Sequence, residues 1–80
     1  MKTFETLDPL PAAFLVTKGY LPEIVDRNNL LVYCFQESPE LIRALAAYHS
    51  GAQVDVLRFS SAIKLVRGML YSSRQAKARG

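Results

Sequence analysis

Two side chains here have the chemistry of a nucleophile and a base, Cys34 and His49, and each is the only one of its kind. A thiol attacks when a base lies within hydrogen-bond reach and a third group orients that base. Cys34 falls inside an apolar stretch from Leu30 to Gln36 that reads as a strand, while His49 closes a helical stretch. No Asp or Asn is spaced to orient the imidazole. The thiol therefore reads as a small buried hydrophobe. One cysteine and one histidine permit no intrachain disulfide, and one chain cannot assemble a Cys/His zinc site from them. Glycine-rich phosphate loops, paired acidic motifs and metal-ligand spacings are missing as well. The expectation is a protein that is not an enzyme, with no cofactor, no metal and no small-molecule substrate.

The remaining residues with chemistry to offer are the cations, and their distribution is lopsided. The net charge is +3, but residues 1–40 carry Lys2, Lys18 and Arg27 against six carboxylates, a balance of −3. Residues 41–80 carry seven cations against Asp55 alone, a balance of +6. Such an asymmetry suits a nucleic acid or an acidic partner, or else two halves that attract each other within the fold or between subunits. Arg58, Lys64, Arg67, Arg74, Lys77 and Arg79, with Tyr71 among them, form the candidate nucleic-acid-binding set for DNA or RNA. Such contacts would go to phosphates without reading bases. The competing reading is an ordinary solvated helix face.

What positions these cations is the stretch Asp55 to Ser73, which reads as one long helix with Asp55 as its N-cap. On a 3.6-residue period, Phe59, Ala62, Ile63, Val66, Met69 and Leu70 share one side at the spacing of a buried stripe. Ser60, Lys64, Arg67, Tyr71 and Arg74 fall on a second strip. A third holds Leu57, Ser61, Leu65, Gly68 and Ser72, the candidate self-association face. Gly68 draws notice because glycine inside an exposed helix costs about 1 kcal/mol against alanine, so close approach of another backbone would explain it. That neighbour is either the first helix of the same chain or the same helix of a second copy meeting it about a two-fold axis.

The other elements follow from capping and turn chemistry. Asp8-Pro9 starts a helix that runs to Lys18 and stops at Gly19. It is apolar on most sides and should be sandwiched. Tyr20 to Asp26 and Leu30 to Gln36 read as strands joined around Arg27, Asn28 and Asn29, since asparagine tolerates the positive φ of tight hairpins. Leu31, Tyr33 and Phe35 point one way, Val32 and Cys34 the other, so this sheet should be covered on both faces or by a second subunit. Pro22 places the first of the pair at an edge. Ser38, Pro39 and Glu40 begin a helix that runs to about His49 and ends at Ser50 and Gly51. Residues 1–7 alternate briefly, as an edge strand or an arm, and residues 75–80 lose apolar character, as a mobile basic tail.

Two helices with cations on the second invite comparison with a helix-turn-helix. The link Ser50 to Val54 is longer than that motif uses, and the second helix is several turns too long.

Eighty residues, half of them hydrophobic, make one globular α+β domain of helix, β-hairpin and two helices (α-β-β-α-α). At that size a single core barely suffices, and dimerisation is a common remedy. No apolar run, Ala12 to Val16 among them, is long enough to span a bilayer, and Glu5 and Asp8 stand where a signal peptide wants cations. The expected setting is the cytoplasm, with no membrane partner.

Taken in order, Thr3-Phe4-x-Thr6, Ala13-Phe14-Leu15, Gly19-Tyr20, Val32-Tyr33-Cys34-Phe35, Pro39-Glu40-Leu41, Tyr48 with Gly51, Val54-Asp55, and Phe59 with Lys64 form a pattern spanning nearly the whole chain. It resembles a family of small uncharacterised domains from bacteria and their phages or mobile elements, grouped as a domain of unknown function. These are packing and turn residues, so the resemblance bears on the fold and brings no catalytic or binding residues with it. Cys34 stands where a plain apolar residue is expected, and Pro11 is unusual in the first helix. The resulting expectation is a non-enzymatic interaction module, homodimeric through the long C-terminal helix. The alternative is a nucleic-acid-binding accessory protein of a bacterial or phage mobile element.

Overall fold

The computed structural model describes residues 2–79, and of Arg79 the backbone alone. Six elements follow in the order β1 (Thr3–Thr6), α1 (Pro9–Thr17), β2 (Glu23–Arg27), β3 (Leu30–Gln36), α2 (Pro39–His49) and α3 (Val56–Arg79). The α+β class holds, and residues 3–6 add an edge strand ahead of the expected helix. The sheet is antiparallel in the order β1-β3-β2.

Caps and turns act where the residue types place them. The Asp8 carboxylate accepts from the Leu10 amide at 2.9 Å, and the Ser38 hydroxyl accepts from the Leu41 amide at 3.1 Å. Both sites precede a proline at the first helical position, where its missing amide leaves no gap. Both helices also close alike. Gly19 and Gly51 take φ of 96° and 84°, and the next residues, Tyr20 and Ala52, donate back to the Leu15 and Ala47 carbonyls. These are Schellman closures, which satisfy carbonyls that the helix leaves without partners. Because Tyr20 is committed to the cap and Pro22 has no amide to give, β2 begins at Glu23 rather than at Tyr20. Asn28 and Asn29, at φ of 53° and 71°, form the two-residue hairpin turn, with the Asn29 amide on the Asp26 carboxylate. Positive φ at both positions matches the strand twist.

The core lies between the inner sheet face and the helices. Phe4 opposes Phe35, and Thr6 and Ile24 oppose Tyr33 from the two sides, so the β3 aromatics sit at the sheet's centre. Tyr33 and Phe35 are buried, as are Ala62 and Val66 of α3. The Tyr33 hydroxyl donates to the Val66 carbonyl at 3.1 Å, giving the buried phenol the partner it requires. Helix α1 packs chiefly on α3 and then on α2, and its residues Pro11 to Leu15 are all buried. Its alanines make that possible, because small side chains let two helix backbones draw close.

On the outer sheet face, the expected second cover takes the form of a side-chain pair. Arg27 on β2 reaches across β3 to Glu5 on β1 and grips its carboxylate, with Nη2 to Oε2 at 2.7 Å and Nε to the same oxygen at 3.1 Å. Glu5 sits level with Cys34 and Arg27 level with Leu30, so the bridge crosses the row of Val32. Val32 is only 8% exposed although it points away from the helices. The aliphatic stem of an arginine can shield apolar surface while its head stays wet.

Candidate interaction surface on the last helix

Helix α3 has 24 residues, about 36 Å at 1.5 Å per residue. The Asp55 carboxylate accepts from the Leu57 amide at 3.0 Å and starts it, as expected of that residue. Its inner stripe is the predicted one, with Ala62 and Val66 buried and Phe59, Ile63, Met69 and Leu70 half-buried. The helix does not stop at Ser73. It continues through Gln75 to Arg79, where a tail was expected. Gln, Ala, Lys and Arg are all good helix formers, and Lys77 is fastened to Asp26 of β2 at 3.1 Å.

This geometry divides the cations that the sequence groups together. Lys64, Arg67, Tyr71 and Arg74 are exposed and follow one another up the same side of the helix. Arg58 lies nine residues before Arg67, two and a half turns, and so points the opposite way. It lines a hollow with Val16 and Thr17 of α1. Lys77 turns toward the hairpin, and its hydrogen bond to Asp26 holds that carboxyl below the ordinary carboxylate range. The side chain of Arg79 lies outside the described residues. Among the described residues the ion pairs are Arg27–Glu5, Arg43–Glu40 and Lys77–Asp26. Lys64, Arg67, Arg74 and Arg58 therefore have no carboxylate partner there. Of the opposed halves of the chain, one contact with α3, Lys77 to Asp26, is neutralised within the fold.

The strip also has apolar neighbours that spacing along one helix could not disclose. Beside Lys64 and Arg67 is a hollow of about 380 Å³ floored by Val56, Phe59 and Ile63. Beside Arg74, the hairpin and the residue that follows β1 bring Leu7, Leu30 and Leu31 against Leu70 around a second, of about 470 Å³. Burial raises the Tyr33 phenol above its ordinary range, and the charges of Arg67 and Arg74 oppose that shift in part.

The third strip stays uncovered. Leu57 is 78% exposed and Leu65 46%, and Ser61, Gly68 and Ser72 are exposed beside them. Helix α1 reaches this strip only at its margin, where Val16 and Thr17 face Leu57, Ser61 and Leu65 across a hollow of about 460 Å³. Further along the helix Pro22 and Ile24 face Leu65, Gly68 and Met69 across a second hollow. A methyl group placed on Gly68 would meet nothing within 4 Å. The close neighbour that would explain this glycine is not in the chain's own described fold.

Cys34 and His49 are not joined. The thiol lies on the outer sheet face, 3.8 Å from the Glu5 carboxylate. His49 is exposed at the end of α2 with its ring edge-on to Tyr48. Among the described residues no three of His, Cys, Asp and Glu are grouped to hold a metal ion, and no described helix is long and apolar enough to cross a membrane.

No curated protein and no solved structure is significantly similar to the chain. A family model described as Domain of unknown function (DUF5659) matches residues 1–72, which takes in all three strands, α1, α2 and most of α3, and the chain belongs to that family.

Proposed function

We propose that this domain is a non-enzymatic interaction module of the cytoplasm that forms a homodimer through the strip Leu57, Ser61, Leu65, Gly68 and Ser72. The observation that carries the reading is that this strip, apolar or small along its length, stays open after α1 and the sheet have packed on the other sides of α3. Leucines occupy its first half and Gly68 and Ser72 its second. An antiparallel two-fold pairing sets each Leu65 into the space over Gly68 of the partner subunit, whereas a parallel pairing stacks leucine on leucine and leaves a gap. A chain this short gains much by covering such area. The test is sedimentation of the wild type and of Gly68→Glu at tens of micromolar, within the weak range of specific association. The wild type sediments as a dimer and the variant as a monomer. A monomeric wild type ends the reading.

A second reading has its own support in the unpaired cations. Under it the domain is a nucleic-acid-binding accessory protein of a bacterial or phage mobile element, using Lys64, Arg67 and Arg74. The two readings are compatible in space, because an antiparallel two-fold places both cation strips on the same side of the dimer. Titration of labelled DNA and RNA at low and moderate salt checks it. Absence of binding to any of them at low salt removes it.

A further inference from the structure

Tyr71 is 64% exposed, and among the described residues its ring meets no other ring and its hydroxyl makes no hydrogen bond. An exposed aromatic on its own is ordinary, and what sets this one apart is its neighbours. Arg67 lies one turn before it and Arg74 just under one turn after it, about 10 Å apart along the axis. Lys64 continues the row, and none of the three cations is spent on a carboxylate of this fold. The order along α3 is cation, cation, ring, cation.

We propose that this strip is a track for single-stranded nucleic acid, with Lys64, Arg67 and Arg74 on phosphates and Tyr71 as the platform on which a base stacks. The inference rests on the nucleic-acid reading above and narrows it. Every base presents a π-face, so one ring between cations serves any sequence, but only where the bases are unstacked. In a duplex those faces are occupied by neighbouring pairs, and Tyr71 would have nothing to meet. The hollows at the two ends of the strip extend the same logic. One is floored by the half-buried Phe59 beside Lys64 and Arg67, the other by Leu70 and the hairpin leucines beside Arg74. Each sets an apolar recess next to a cation, which is the alternation that a base and its phosphate require. An anionic membrane is the less suited partner, because interfacial helices lay a continuous aliphatic face beside their cations, and the exposed aliphatics next to this strip, Leu57 and Leu65, give way to Gly68 and Ser72.

The experiment is a fluorescence-anisotropy titration of the full chain with labelled oligo(dT), oligo(U) and a duplex, each about 20 nucleotides or base pairs long, enough for at least one typical single-strand site. It is run at about 50 and 200 mM salt, with light scattering from phosphatidylserine vesicles as a parallel arm. The wild type binds one or both single strands more tightly than the duplex. The oligo(dT) and oligo(U) arms distinguish DNA from RNA. Three phosphate contacts give a logarithmic salt slope of about −2. Tyr71→Ala weakens single-strand binding about tenfold, Tyr71→Phe preserves it, and Arg67→Gln weakens it while lowering the slope by about 0.7. Both positions are exposed, and circular dichroism verifies that the three variants fold. Equal affinity of Tyr71→Ala and wild type for single strands, or tighter binding to the duplex, overturns the inference and leaves the broader nucleic-acid reading standing. Binding to vesicles alone, or to nothing at low salt, overturns both.

Discussion

The outer face of the sheet and the outer side of α3 both point away from the core, yet they treat their charges and their apolar residues differently. On the sheet, Arg27 closes on Glu5 with two nitrogens across the row of the buried Val32. On α3, Lys64, Arg67 and Arg74 have no carboxylate among the described residues, and Leu57 and Leu65 are bare. Over Val32 a charge is answered and an aliphatic is covered, although Leu30 at the start of β3 stays 57% exposed. Along the outer strips of α3 neither is done. Under the proposed module, this contrast, more than the total charge, marks the side that meets a partner.

Replacing an outward-facing aliphatic on each surface sharpens the contrast most. Val32→Ala costs about 2 kcal/mol of stability in urea unfolding, since a screened valine behaves as a core residue. Leu57→Ala, measured where the chain is monomeric, costs less than about 0.5 kcal/mol, as substitutions on solvated surface usually do. Equal costs at the two positions break the comparison. Gly68→Ala comes next and splits two quantities. With nothing near the added methyl, the monomer gains about 1 kcal/mol from helix propensity, while close helix pairing in the dimer is weakened. Unfolding at low concentration reads the first and sedimentation the second.

The smallest effects are electrostatic. Arg27→Gln lowers the urea midpoint, whereas Arg67→Gln leaves it unchanged, because only the first removes an existing pair. The hydrogen bonds from Arg27 and from Lys77 hold the Glu5 and Asp26 carboxyls below their ordinary values of 4.5 and 3.8. A carboxyl depressed in the folded state binds fewer protons there than in the unfolded chain. Its contribution is therefore complete above those ordinary values and is lost as pH falls through them toward the depressed ones. Urea midpoints measured from pH 7 downward should decline in that window, and less steeply in Arg27→Gln. Both pairs are solvated, so the decline is shallow.

Much of this architecture could be read from single residues because the signals are local. Asp8 and Ser38 before prolines, paired asparagines between alternating runs, and Gly19 and Gly51 after helices each fix a backbone conformation with little help from the rest of the chain. The buried stripe of α3 and its two outer strips follow from spacing alone. What escaped depended on tertiary contact or on competing uses of one group. The strand β2 starts late because the Tyr20 amide is taken by the α1 cap. The last turns of α3 carry no apolar pattern, yet are built of helix-forming residues and tied to the hairpin through Lys77. Sequence order groups Arg58 and Lys77 with Lys64, Arg67 and Arg74, whereas the direction of each around the helix, and the Asp26 contact, separates them. The hollows at the ends of the strip draw on Leu7, β3 and the link before α3, so no window on the helix could reveal them.

Self-association through the open side of α3 is the claim on which the module reading rests, and sedimentation equilibrium of the unmodified chain tests it most directly. Across about 1 to 100 µM, a range that brackets weak specific dimers, the apparent mass should climb from 8.9 kDa toward twice that value. A mass that stays at 8.9 kDa over the whole range contradicts it.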